Sequence, residues 1–328
     1  MKKLIALALA LVLAVTCLSG VVFAIDPIAE VTNDGKTSKV YSIDDLTAAV
    51  SETGNTKVKV LSRVERIVTD ASGQIVFPYT CEVDLNGQTW TNVKSKSGNV
   101  LKFNAAGSQN THAVVKNGTI LGASVGVSIM EGSIEIRDCV IISPKSIGVS
   151  MYSTETKYND KNIIDNCYIM AGGANGGFSF QGEAPMDGVK IKIQNSTVAQ
   201  VNGAGYTLNN KAKGKGIIEL GENVDLYAIE EATLKEENIT LEGKELKPVE
   251  GTFTVAATGD GVEYKFDGLM KWTTYVEPAP VAPSTPAVPT VPSTGTPDVS
   301  VPTTGVSVMA LGVMAMVSLA GAVITKKH

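Results

Sequence analysis

Four carboxylates and two phenols fall in two short segments of this chain, and their types suit chemistry on a sugar or a cation. Tyr152, Glu155, Tyr158 and Asp160 share one segment, and Glu183 and Asp187 share another. Two carboxyls at a set separation can cleave a glycosidic bond, one as acid and one as base or nucleophile. Carboxylate oxygens also suit calcium, and a tyrosine ring suits the face of a sugar. A plain set of solvated loops accounts for the same residues. His112 has no partner acid that the sequence identifies, so it is read as structural. The chain shows no phosphate-binding loop and no metal-binding histidine pair.

The elements that must position these segments repeat. An apolar residue, an Asn or Asp two places on, and a small residue recur as Val115-Lys-Asn117-Gly118, Ile136-Arg-Asp138-Cys139, Ile164-Asp-Asn166-Cys167 and Ile193-Gln-Asn195-Ser196. A second motif follows each copy: Gly126-Val-Ser-Ile, Gly148-Val-Ser-Met, Gly177-Phe-Ser-Phe and Gly205-Tyr-Thr-Leu. Two linked motifs on one drifting period mean a solenoid, each copy being one unit stacked on its neighbours. Asn117, Asp138, Asn166 and Asn195 are then a ladder at one corner, since these residues tolerate a left-handed turn and bond the backbone locally. Val115, Ile136, Ile164 and Ile193 form an inward stack, and Phe178 and Tyr206 sit over Val127 and Val149. Asp165 points outward beside Arg137 of the preceding copy. The two acid-bearing segments are loops that leave successive copies from one corner, a face that often binds ligands in solenoids.

Cys139 and Cys167 occupy equivalent repeat positions and are expected as stacked neighbours within disulfide reach. They equally suit two small buried thiols at a position filled elsewhere by Gly118 and Ser196. With Cys81 they leave an odd count once Cys17, in the N-terminal signal segment, is set aside, which argues against a disulfide framework.

Before the repeats, Ser42-Ile-Asp-Asp45 opens a short amphipathic helix with Ile43, Leu46 and Val50 on one face. Its expected task is to cover the unpaired strand edges of the first coil. Residues 25–40 are expected as an extended leader. Residues 229–276 are expected as further strands closed by Trp272 and Tyr275.

These repeat motifs, the helix before them and the phrase Leu85-Asn-Gly-Gln-Thr-Trp90 resemble the right-handed parallel β-helix, pectate-lyase-like superfamily over roughly residues 41–255. The resemblance implies an all-β, right-handed parallel β-helix solenoid of about six to seven coils with an N-terminal helical cap. Lyases and hydrolases of that superfamily carry clustered carboxylates on one sheet, and their signatures are missing here.

Both ends of the chain look like addresses. Met1-Lys-Lys3, an apolar run and Ala24 make a secretory signal peptide over residues 1–24, cut after Ala24. Residues 277–300 are a Pro/Thr/Ser-rich spacer. Val301-Pro302-Thr303-Thr304-Gly305, an uncharged stretch and a basic tail resemble an LPXTG-type sortase sorting signal over 301–328. That resemblance implies cleavage between Thr304 and Gly305, transfer to peptidoglycan and a Gram-positive cell. A single membrane-spanning helix is the other reading of the same stretch. Removing both ends takes away Lys2, Lys3, Lys326 and Lys327, leaving 24 basic against 33 acidic residues and a net charge of −9. That balance argues against a nucleic-acid binder. The expected protein is a wall-anchored, non-catalytic β-helix domain over 41–276. It acts in adhesion or binding of a polysaccharide or host glycan, with sortase and peptidoglycan as partners and no cofactor beyond calcium. A surface polysaccharide lyase or hydrolase is the alternative.

Overall fold

The computed structural model describes residues 26–275, apart from 52–53, 69–73, 104–111, 153–154, 184 and 203–204. The cut after Ala24, the spacer and the Val301–Gly305 motif lie outside the described residues.

The chain is a parallel β-helix, as the repeat spacing predicts. Each coil runs through three strands, which stack on their copies as sheets A, B and C. Sheets A and B meet at the corner of each coil and form one 17-stranded sheet, and sheet C has six strands. In the third coil, His112–Leu121 supplies both A and B and bends at Asn117, and Val125–Ile129 supplies C. Six complete coils are present among the described residues, the last ending in Leu208–Asn210 of sheet C. A seventh contributes Gly216–Leu220 and Asp225–Ala228, and Ile239–Gly243 adds a last strand to sheet A.

Register explains why the repeats read as they do. Val58, Val83, Val115, Ile136, Ile164, Ile193 and Leu220 are successive partners in sheet A, and each is at most 1% exposed. In sheet B the inward column runs Trp90, Ile120, Ile141, Ile169, Val198, Leu226 and Trp272. Sheet C stacks Phe77 on Phe103, with ring centroids 5.0 Å apart. Burying one such aliphatic side chain contributes about 1.5–3 kcal/mol. Among the inward polar residues, Asn162 accepts from Ile134 N at 3.1 Å and donates to the Lys190 carbonyl at 3.0 Å. Its buried amide is thus satisfied.

One register expectation is corrected. Phe178 pairs with Leu208, so Tyr206 is not stacked in sheet C. The preceding loop is longer by two residues than a match at Gly205 assumes. The inward place goes to fully buried Leu208, leaving Tyr206 half-buried before the strand.

Both ends also differ from expectation. Residues 29–40 are not a leader but an antiparallel hairpin, Ala29–Asn33 with Lys36–Val40, turned at Asp34 and Gly35. This hairpin, pairing with Thr56–Val60, continues sheet A past the first coil. The helix Ile43–Val50, capped by Ser42, buries Leu46 and Val50 in the main core beside the hairpin and Ile75–Phe77. It plugs the apolar interior, while the hairpin takes the strand edge. The two devices match in thickness: two added strands and one helix each occupy about 10 Å along the stack.

At the other end, Lys247–Gly259 and Val262–Thr273 form a long hairpin turned at Asp260-Gly261, where both residues have positive φ. Its base pairs antiparallel with Asp225–Ala228 and sets Trp272 on Leu226. Trp272 closes the stack as expected, whereas Tyr275 is 54% exposed and does not. The rest of the hairpin lies along the outside of sheet B as a strap. Val255 and Leu269 bury against Met170, Ala199 and Val201, and Phe253 meets Tyr227 edge-on at 6.3 Å. At the far end, Asp260 receives two bonds of 2.6 Å from Arg63 of the first coil. Residues 262–272 span about 33 Å, close to the height of seven strands. A sheet covered on both faces needs consecutive apolar residues. Ile120-Leu121, Ile141-Ile142, Ile169-Met170 and Val198-Ala199 supply them.

The latch of the strap is ionic. Arg63 also bonds Glu65 at 2.5 Å, and Lys94 pairs with Glu65 at 2.9 Å. Those bonds, Arg63 first, hold the Glu65 carboxyl down at about 2, and the Arg63 bond also lowers Asp260. A carboxyl depressed on folding contributes stability above its unfolded value and loses it as pH falls toward the folded one. We predict that the latch opens below the ordinary aspartate range, where Asp260 takes up its proton, while Glu65 is neutralised only toward about 2. In Arg63→Ala, carboxyl NMR should find Glu65 titrating higher, and amides near Asp260 should exchange faster. Global stability should change by less than about 1 kcal/mol, because the pair lies at the solvated surface. An unchanged Glu65 midpoint would contradict the assignment.

Candidate functional site

The corner between sheets A and B is made by residues with positive φ. Asn117, Asp138, Asn166 and Asn195 lie at φ 60°, 53°, 51° and 48°, and Asn86 and Asn223 extend the series at 51° and 53°. Six coils therefore share the corner. Asn86 stands in Leu85-Asn-Gly87 and Asn223 in Glu222-Asn-Val224, so the apolar-x-Asn spacing is absent from both. The positive φ is the shared feature. The ladder is exposed and its bonds take two forms. Asn166 donates to Asp138 at 2.6 Å and Asn223 to Asn195 at 3.1 Å. Asn117 donates instead to Asp84 at 3.1 Å and Asn195 to Asp165 at 2.9 Å, each the acid just before the corner one coil earlier.

Behind the corner, Cys139 and Cys167 are free, buried thiols, as is Cys81. The Cys139 thiol is pushed up by its contact with Cys167 and by burial. Their place is a narrow one. A Cβ at Gly118, in the coil before Cys139, would come within 2.5 Å of Leu85 Cβ.

The outer face of sheet A carries the densest chemistry among the described residues. Lys116 binds Glu82 at 2.7 Å, which lowers Glu82 and raises Lys116. Arg137 binds Glu135 and reaches Asp165 at 3.2 Å, the cross-coil pair expected from the sequence. Lys190 lies 3.5 Å from Glu219 and 2.7 Å from Glu242. His112 does have polar partners: Nδ1 lies 2.8 Å from Ser133 Oγ, and Nε2 is 4.0 Å from Glu135. The grouping resembles a nucleophile–base pair, but Ser133 is fully buried and cannot meet a substrate. Burial holds the imidazole pKa down. Toward the C-terminal end, Lys192, Gln194, Asn195, Glu219, Glu222 and Lys244 line an open groove of about 580 Å³.

The loop residues singled out in the sequence are dispersed in their contacts. Glu155 pairs with Lys157, Glu183 with Lys213 at 3.5 Å, and Asp187 accepts from Lys215 N at 2.8 Å. Asp160 is exposed. Tyr158 is buried with Lys157 over its ring, and Tyr152 is half-buried, its phenol pushed up by desolvation. Among the described residues, no three His, Cys, Asp or Glu side chains come together as a metal-holding group. No helix among the described residues is long and apolar enough to cross a membrane. Set against known proteins, the chain matches no family model, no curated protein and no solved structure.

The corner makes a test of its own. A β-branched residue in a left-handed turn costs about 1–2 kcal/mol, whereas glycine adopts it freely. Asn166→Val should lower stability by at least that amount in urea titration, and Asn166→Gly by less. Equal losses would mean that the Asp138 bond, rather than the turn, sets the residue.

Proposed function

We propose that this chain is a non-catalytic, pectate-lyase-like β-helix. It is exported, joined to peptidoglycan through Thr304 by a sortase, and contacts a polysaccharide or host glycan at the surface of a Gram-positive cell. The observation that carries this reading is the outer face of sheet A. It is an open parallel sheet whose Lys, Arg, Asp, Glu, Gln and Asn side chains recur once per coil. Side chains repeating about every 4.8 Å can meet successive rings of an extended sugar chain with the same contacts. The groove lined by Lys192, Glu219 and Lys244 offers both donors and acceptors for hydroxyls. The loop acids support binding less well, because Glu155, Glu183 and Asp187 are already engaged locally.

The reading makes two measurable demands. Residues 26–275 should be retained on an immobilised polysaccharide panel without producing new chain ends. The double variant Lys192→Ala/Lys244→Ala should weaken retention about tenfold or more, the loss of two charged hydrogen-bond donors. Alanine at Glu155 and Glu183 should leave retention unchanged. New chain ends would replace this reading with a lyase or hydrolase. In the producing cell, Thr304→Ala should move the protein from the wall fraction to the membrane fraction, and an unchanged wall fraction would remove the sortase step.

A further inference from the structure

Among the described residues, sheet A ends in an open strand at each end of the stack. Lys36–Val40 pairs with Ala29–Asn33 on one side only, and its first four residues are exposed. Ile239–Gly243 pairs with Gly216–Leu220 on one side only, with Thr240, Glu242 and Gly243 exposed. Both strands are five residues long. Their directions also agree. Ala29–Asn33 is antiparallel to Thr56–Val60, and Lys36–Val40 is antiparallel to Ala29–Asn33. Two reversals make Lys36–Val40 parallel to every sheet A strand of the coils, Ile239–Gly243 included.

Charge selects a partner. Glu219 and Glu242 are direct neighbours on the outer face, and like charges placed so are unfavourable. Among the described residues Lys190 binds both, and Lys192 is the register neighbour of Glu219. Laying a second copy's Lys36–Val40 along Ile239–Gly243, residue for residue, brings its Thr37 beside Thr240 and its Lys39 beside Glu242. Lys39 stands on the outer face, opposite Glu30 in its own hairpin, so it arrives on the same side as Glu242. It would give Glu242 a cation on the edge side, as Lys192 stands beside Glu219 on the other.

We propose that the partner of these edges is a second copy of this chain, stacked head to tail so that sheet A runs on from one copy into the next. Contacts of this kind are heterologous and leave a free edge at each end, so they build open filaments rather than closed pairs. Lysines on an edge strand can also serve to keep other chains off, and experiment separates the two roles. Sedimentation of the full chain at rising concentration should show a series of whole-number multiples. Lys39→Glu and Glu242→Lys should each weaken association about tenfold or more, through like-charge contact across the joint. The double reversal should restore it. Because Glu242→Lys also removes a Lys190 contact, thermal melts establish that each variant is folded. The pair Lys39→Cys/Glu242→Cys gives an independent readout, forming a ladder of disulfide-linked oligomers under a mild oxidant that collapses with thiol reductant. A single species at all concentrations would overturn the proposal. So would association indifferent to both reversals, or absence of the crosslinked ladder.

Discussion

A coil of this protein can bury its inward side chains only against the coils above and below it. Everything else in the structure answers to that constraint. Adjacent strands are about 4.8 Å apart, so each inward position must hold a residue that packs on its own equivalent at that distance. Val, Ile and Leu do this with little adjustment, which is why one column runs unbroken from Val58 to Leu220. At Asn162, where a polar side chain enters, both ends of its amide are bonded to neighbouring backbone.

The same constraint makes the ends and the exposed sheet faces difficult. A stack has no neighbour beyond its first and last coil, so its apolar interior would meet water there. The helix covers one end and Trp272 the other. Sheet B receives a different solution, a hairpin laid lengthwise over its outside and fastened to the first coil by Arg63 and Asp260. The strap therefore links the two ends of a body whose other contacts run mainly between neighbouring coils. Its apolar packing supplies most of the attachment, since an exposed ion pair alone contributes little.

Among the described residues nothing covers the outer face of sheet A, which shows what an exposed parallel sheet does with charge. Side chains of successive coils stand directly over one another, so a residue and its equivalent interact directly whatever their sign. Glu82 with Lys116, and Arg137 with Asp165, place opposite charges in reach across coils. Glu219 and Glu242 do not, and they fall beside the open edge. The face is thus both the chemically richest surface described and the one whose hydrogen bonds stop abruptly at each end.

Spacing within the sequence determined the parallel β-helix, the corner positions Asn117, Asp138, Asn166 and Asn195, and the inward stack of Val115, Ile136, Ile164 and Ile193. These are local properties: a left-handed turn favours Asn, and one coil's pattern repeats in the next. Asn86 and Asn223 occupy the same corner without the flanking pattern, and only their backbone conformation reveals them. Asp34-Gly35 and Asp260-Gly261 are two-residue hairpin turns of a kind that sequence does signal, yet nothing in either turn says what its hairpin will pair with or cover. Tertiary structure alone decided that the second hairpin returns along sheet B, that Leu208 rather than Tyr206 meets Phe178, and that Tyr158 is buried while Lys192 and Lys244 face an open groove. Loop residues carry no periodic constraint, so their side chains are directed by long-range contacts that the order of residues does not encode locally.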